Sequence, residues 1–178
     1  METGLEGIGM TTLYVREDGQ FQEASARQVL IEARELIEEQ FRSRNVVLKT
    51  SEAIRGYLKI QLGGREHEVF AALFLDARRR LIEYVELFRG TIDVTAVYPR
   101  EVVKEALERN AAAVIFAHNH PSGVADPSEQ DEIITRRLRV ALALVGVKVV
   151  DHLIVGESVS SLVEKGYLRV HSGDGITG

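Results

Sequence analysis

Apolar positions along the chain follow two patterns: residues three or four apart, which predict helices, and unbroken apolar runs, which predict strands covered on both faces. Thr11–Val15 and Gln20-Phe21 flank Asp18-Gly19, predicting a hairpin or loose N-terminal arm. From Ser25 onward Val29, Leu30, Ala33, Leu36, Ile37 and Phe41 recur at helical spacing among Glu and Arg, so an amphipathic helix is expected. Asn45–Leu48 reads as a connection. Ser51 can cap a helix reaching about Leu62, where Gly63-Gly64 stops it. Val69–Leu75 is apolar throughout and predicts a central strand. Asp76–Arg80 turns the chain into a second strand, Leu81–Phe88, which Gly90-Thr91 breaks. Pro99 opens a helix running to about Asn110, with Val102, Val103, Ala106 and Leu107 inward.

The second half repeats this grammar. Ala112–Ala117 is a short buried-strand run that delivers His118 at its end. Asp126 as N-cap, Pro127 at the first helical position and Glu129 three residues after the cap form a capping-box pattern. The helix they predict puts Ser128, Asp131, Ile134, Thr135, Leu138, Ala141, Leu142 and Val145 on one face, with Glu129, Glu132, Arg136, Arg137 and Arg139 opposite. Gly146 ends it, Val147–Val155 is a further strand, and a short helix is expected around Ser161–Lys165 before Gly166. Helices interleaved with strands, including a hairpin, indicate an α/β (α+β) sandwich around a mixed sheet. The expected division is an arm and amphipathic helix at 1–44, a main domain at 45–168 and a frayed tail at 169–178.

At 178 residues, with 45% hydrophobic and 28% charged residues, the chain can bury one sizeable core. No apolar run approaches the ~20 residues of a membrane span, and Met1-Glu2-Thr3-Gly4 lacks a signal peptide's basic and apolar regions. A cytoplasmic protein is expected. Cysteine is absent, so a metal site would have to use His, Asp or Glu, and there are five histidines. A formal net charge of −5 disfavours DNA as a partner. Arg78–Arg80 and Arg136-Arg137-x-Arg139 read as solvated surfaces, the first in a hairpin turn and the second on a helix.

One stretch carries chemistry. His118 and His120 lie one residue apart, and alternation along extended backbone turns both imidazoles to one side. Asp131 falls in the first turns of the following helix, on its apolar face, where an unpaired carboxylate is costly and a metal-bound one is compensated. Two imidazoles and one carboxylate make an open zinc site with a position left for water. His152, inside an apolar strand, is read as a core histidine bonded to Asp151; His67 and His171 show no partner.

The string His118-Asn119-His120-Pro121-Ser122-Gly123, then Pro127-Ser128 and Asp131, resembles the RadC-like branch of the JAMM/MPN zinc metalloprotease domains. The resemblance covers roughly residues 46–166. It implies an MPN fold with a cytidine-deaminase-like layout, a bound Zn2+, and hydrolysis of a peptide or isopeptide amide in an unidentified peptide or protein, a ubiquitin-like one included. It also implies a general-base glutamate within Glu-hydrophobic-x-x-x-Leu, which Glu68–Leu73 fits, with Glu86 the runner-up. If Glu68 is to meet His118, their strands must run antiparallel. Ser128 matches the family's serine, whose hydroxyl would donate to a developing oxyanion, while Ser122 and Gly123 shape the loop. The helix-hairpin-helix region that longer RadC-like proteins carry is expected to be missing, which weakens the alternative of a DNA-repair accessory protein. A non-catalytic MPN interaction module is the third reading, and it has no need of an open metal site.

Overall fold

The computed structural model describes residues 12–17, 19–43, 51–90 and 97–168. The expected connection at Asn45–Leu48, Thr91, and the tail with His171 lie outside them. Strands β1 (Tyr14–Glu17) and β2 (Gln20–Glu23) form the N-terminal hairpin, antiparallel as expected. Helix α1 (Ala26–Ser43) follows and is tied to α2 (Ser51–Leu62). The tie is Arg34, whose guanidinium donates to the carbonyls of Ile60 (2.8 and 3.1 Å) and Gln61 (3.3 Å) at the end of α2. Those carbonyls have no partner within the helix, so a cation there satisfies them and suits the helix dipole.

The main sheet has the order β4-β3-β5-β6-β7, built from β3 (Val69–Leu75), β4 (Leu81–Arg89), β5 (Ala113–Asn119), β6 (Lys148–Val155) and β7 (Val159–Ser161). β5 and β6 are parallel; the other pairs are antiparallel. The sheet is therefore mixed, and helix α4 (Glu129–Ala143) supplies the crossover that parallel strands require. The remaining helix, α3 (Pro99–Glu108), precedes β5.

Alternation along the strands sorts the core into two layers. Val69, Leu73 and Leu75 of β3, Ile115 and Ala117 of β5, and Leu153 and Val155 of β6 pack on Ile54, Tyr57, Leu58 and Leu62 of α2. Phe70, Ala72 and Phe74, with Val114 and Phe116, pack on Val102 and Ala106 of α3 and Ile134, Leu138 and Leu142 of α4. Even-numbered residues of β5 thus look toward α4, and His118 is one of them. The sandwich is what orients the chemistry.

Two elements depart from the sequence pattern. Helix α4 begins at Glu129 with Ser128 as N-cap, two residues later than the Asp126 cap. Asp126 is exposed and its carboxylate pairs with Lys165 Nζ, whereas the Ser128 hydroxyl reaches the Asp131 amide at 3.2 Å. At Ser161–Lys165 the expected short helix is a hydrogen-bonded turn, because the chain first adds β7 to the sheet edge and Asp151 then accepts from Ser161 Oγ (2.6 Å) and Val163 N (3.2 Å). Arg78–Arg80 does form the β3–β4 turn, held by Asp76 Oδ1 accepting from the amides of Arg78 (2.8 Å) and Arg80 (2.9 Å). Among the described residues no helix is long and apolar enough to cross a membrane.

Candidate metal centre

His118, His120 and Asp131 converge at the C-terminal end of β5, where α4 begins. His118 Nε2 lies 2.9 Å from His120 Nε2 and 3.0 Å from Asp131 Oδ1, and His120 Nε2 lies 3.6 Å from Asp131 Oδ2. His118 and Asp131 are buried, with side chains 1% and 4% exposed, while His120 is 17% exposed and forms the lip. They line a cleft together with Glu68, Pro121, Ser122, Ser128 and Gln130. The three could hold a metal ion.

Each donor is aimed by its own support. Asp131 is the third residue of α4 and completes a capping box: its Oδ2 accepts from both the amide and the hydroxyl of Ser128, each at 2.7 Å. The helix start fixes that carboxylate and leaves Oδ1 toward His118. The loop after His120 doubles back so that the Val124 carbonyl lies 2.7 Å from His120 Nδ1. A carbonyl can only accept, so Nδ1 carries a proton, and the neutral ring presents its lone pair on Nε2. Gly123 takes φ +83° in this loop, and its carbonyl accepts from the Glu157 amide at 2.8 Å. Gly156 lies so close beneath that a Cβ there would collide with the Gly123 carbonyl oxygen. This is the loop-shaping role expected of Gly123.

The electrostatics follow from this crowding. Burial disfavours a charged Asp131, yet the adjoining His118 and His120 imidazoles and the Ser128 hydrogen bonds hold its carboxyl far below the usual range. The bond to Asp131, opposed by burial and helped by the Val124 carbonyl and the charge of Glu68, raises the pKa of His120. Two imidazole nitrogens and a carboxylate, all electron-rich, cannot face one another within about 3 Å unless something positive lies among them, a proton or a metal cation. A nitrogen and oxygen donor set without thiolates fits a borderline cation.

Glu68 stands where an antiparallel β3–β5 pair brings it. Phe70 pairs with His118, so continuing the register by two places Glu68 beside His120, and its charge is felt there. The runner-up, Glu86, is ion-paired with Arg65 (2.9 Å) and Arg89 (2.5 Å) and is not among the residues lining the cleft. Ser128 lines the cleft, with its hydroxyl donating to Asp131. His152 is the buried core histidine expected, but its ring has other partners than Asp151. Its backbone amide donates to Asp151 (2.7 Å), but the ring turns away to His118 Nδ1 (2.8 Å) and Thr135 Oγ1 (2.6 Å). Burial holds its pKa well below the ordinary histidine value, so the ring is neutral.

Sequence reasoning also passed over Asn119 and Thr135. Asn119 faces opposite to its histidine neighbours and clamps the start of β3: Oδ1 accepts from Val69 N (2.8 Å) and Nδ2 donates to the His67 carbonyl (3.0 Å). Those two backbone groups bracket Glu68, so one Asn ties the glutamate's backbone to the histidine strand. Thr135 stood on the same predicted face as Asp131, one turn later, which was the available signal. A family model described as the RadC-like JAB domain matches residues 48–167.

The chain belongs to the RadC-like JAB domain family.

A UPF0758 protein of Vibrio cholerae serotype O1 is 54% identical over 147 residues, covering 83% of this chain and 92% of that relative. UPF0758 proteins of Leptothrix cholodnii and Nitrosomonas eutropha are 57% and 51% identical, over 79% and 82% of this chain. This RadC-like chain spans 63% and 65% of those two relatives' length, just under two thirds.

Proposed function

We propose that this RadC-like domain is a zinc-dependent hydrolase of peptide or isopeptide bonds, with His118, His120 and Asp131 as ligands and Glu68 as general base. The observation that carries the reading is the meeting of two Nε2 atoms at 2.9 Å beside a carboxylate, inside an open cleft that Glu68 also lines. Zinc, when bound, supplies Lewis acidity that polarises a carbonyl oxygen and acidifies a water. Glu68 takes the proton from the attacking water and returns it to the leaving amine, as a carboxylate beside a cation can. Ser128 keeps its hydroxyl on Asp131 in the resting site and turns it toward the carbonyl oxygen as negative charge develops there. The substrate is a peptide or protein, and a ubiquitin-like conjugate fits the isopeptide version of this chemistry.

The test pairs two substitutions on peptide and isopeptide libraries. Glu68→Gln preserves shape and removes the base, so metal content persists while turnover falls by about 10²–10⁴-fold. Asp131→Asn weakens a ligand and lowers zinc affinity together with rate. Parent-like activity in Glu68→Gln would remove Glu68 from the mechanism. A fully zinc-loaded parent that cleaves neither library would refute the hydrolase.

A further inference from the structure

Behind the buried histidine runs a chain of hydrogen bonds in which each proton has one place to go. Thr135 Oγ1 donates to the Asp131 carbonyl oxygen at 2.5 Å, and a hydroxyl has a single proton. Its contact with His152 Nδ1 at 2.6 Å must then be accepted by the hydroxyl oxygen, so His152 carries its proton on Nδ1. Completely buried between a hydroxyl and an imidazole, that ring is neutral, and with its proton on Nδ1 it offers a lone pair on Nε2. That atom lies 2.8 Å from His118 Nδ1, which must therefore be the donor. His118 is left with its lone pair on Nε2, the atom that faces His120 Nε2 and Asp131 Oδ1.

We infer that Thr135 and His152 are positioning residues that lock His118 in the Nδ1–H tautomer, and so hold its Nε2 ready as a metal ligand. The topology explains the reach of this relay. Thr135 lies one helical turn after Asp131 on α4, and His152 pairs with Phe116 in the parallel β5–β6 register, on the α4 side of the sheet. Both side chains are completely buried, out of reach of bulk solvent. Phe70 closes the arrangement, its ring 5.3 Å from that of His152 and 6.1 Å from that of His118. One end of the relay is the backbone of a ligand, Asp131, and the other is the imidazole of a second ligand, so helix and strand set the donor together. His120 needs no such relay, because the Val124 carbonyl fixes its tautomer directly.

The inference rests on the metal reading for its consequence, and its test separates the two. Thr135→Val keeps the volume but removes the acceptor for His152 Nδ1–H. The buried ring then gains by moving its proton to Nε2, which forces His118 to bare Nδ1 and to carry its own proton on Nε2, blocking the ligand atom. Long-range proton–nitrogen NMR of the metal-free protein at about pH 8, above the ordinary imidazole range, reads the tautomers directly. The parent and Thr135→Ser should show His118 protonated on Nδ1; Thr135→Val should show Nε2–H. In zinc competition titrations Thr135→Val should bind about 10–100-fold more weakly, the usual worth of an outer hydrogen-bond partner, with Thr135→Ser close to the parent. An Nε2–H tautomer in the parent overturns the relay, and that measurement stands even if Thr135→Val fails to fold. A folded Thr135→Val with the parent's tautomer and zinc affinity overturns it too. A parent with the Nδ1–H tautomer that binds no zinc supports the relay and overturns the metal reading instead.

Discussion

Replacing Asn119 with Ala separates the clamp on Glu68 from His118 and His120, the proposed metal ligands on either side. Asn119 is 3% exposed, and its side chain satisfies two backbone groups, the Val69 amide at 2.8 Å and the His67 carbonyl at 3.0 Å. Val69 is completely buried, so its orphaned amide bears the full desolvation penalty, about 1–3 kcal/mol. His67 is exposed, and water can take over its carbonyl at smaller cost. Adding a cavity of a few atoms, the loss should total about 2–4 kcal/mol, or about 5–15 °C in melting temperature for a domain of this size. The two lost bonds bracket Glu68, so its carboxylate loses register with the cleft while His118 and His120 keep their other partners. Turnover should therefore fall by about tenfold or more beyond any loss of zinc, a displacement cost rather than a ligand cost. Thermal melts, zinc titration and kinetics on the same preparation read these separately. A melting temperature within about 2 °C of the parent would refute the clamp, since two buried hydrogen bonds cannot vanish at no cost.

Three further outcomes follow from the same geometry. In the metal-free protein the raised pKa of His120 contributes stability that is complete below about pH 6.5 and wanes as pH climbs through the raised value, whereas the lowered pKa of Asp131 contributes above about pH 3.8 and is lost only in stronger acid. The melting-temperature advantage of the parent over His120→Gln should thus shrink from about pH 5 to about pH 8 without metal and grow over that range with excess zinc; a flat difference in both series contradicts the assignment. Gly156→Ala drives a methyl into the Gly123 carbonyl oxygen and should destabilise by about 1–3 kcal/mol while loosening His120, measured by denaturant melts and zinc affinity. The net charge of −5 predicts no tight DNA binding at physiological salt; submicromolar affinity with a steep salt slope in anisotropy titrations would move DNA into first place as a partner.

The convergence of His118, His120 and Asp131 was legible because its geometry is local. Period-two alternation suffices to put His118 and His120 together, and a helix face suffices for Asp131, so no knowledge of the sheet was needed. The antiparallel β3–β5 pairing was legible for a different reason: the family resemblance implies that Glu68, at the start of one strand, meets His118, at the end of another, which needs opposite directions, and the register Phe70 with His118 agrees. What stayed hidden depends on long-range partners. The capping pattern at Asp126–Glu129 masks Ser128, whose reciprocal bonds with Asp131 start α4, while the Asp126 carboxylate pairs with Lys165, 39 residues on. The ring of His152 could be given to its neighbour Asp151 only by ignoring the parallel β5–β6 register that carries it to His118. β7 is three residues, Val159–Ser161, too short and too polar to show a period at all. Asn119 was hidden by its neighbours, since alternation aims it away from the side of His118 and His120 and only the β3–β5 pairing reveals what it holds.

The central claim is a metal held by these three side chains, and an anomalous-scattering map at the zinc absorption edge tests it most directly. One strong peak per chain is predicted, bonded to His118 Nε2, His120 Nε2 and a carboxylate oxygen of Asp131, with Glu68 close by and not bonded. Absence of a peak in zinc-saturated crystals, or a peak ligated by Glu68 in place of Asp131, would contradict it.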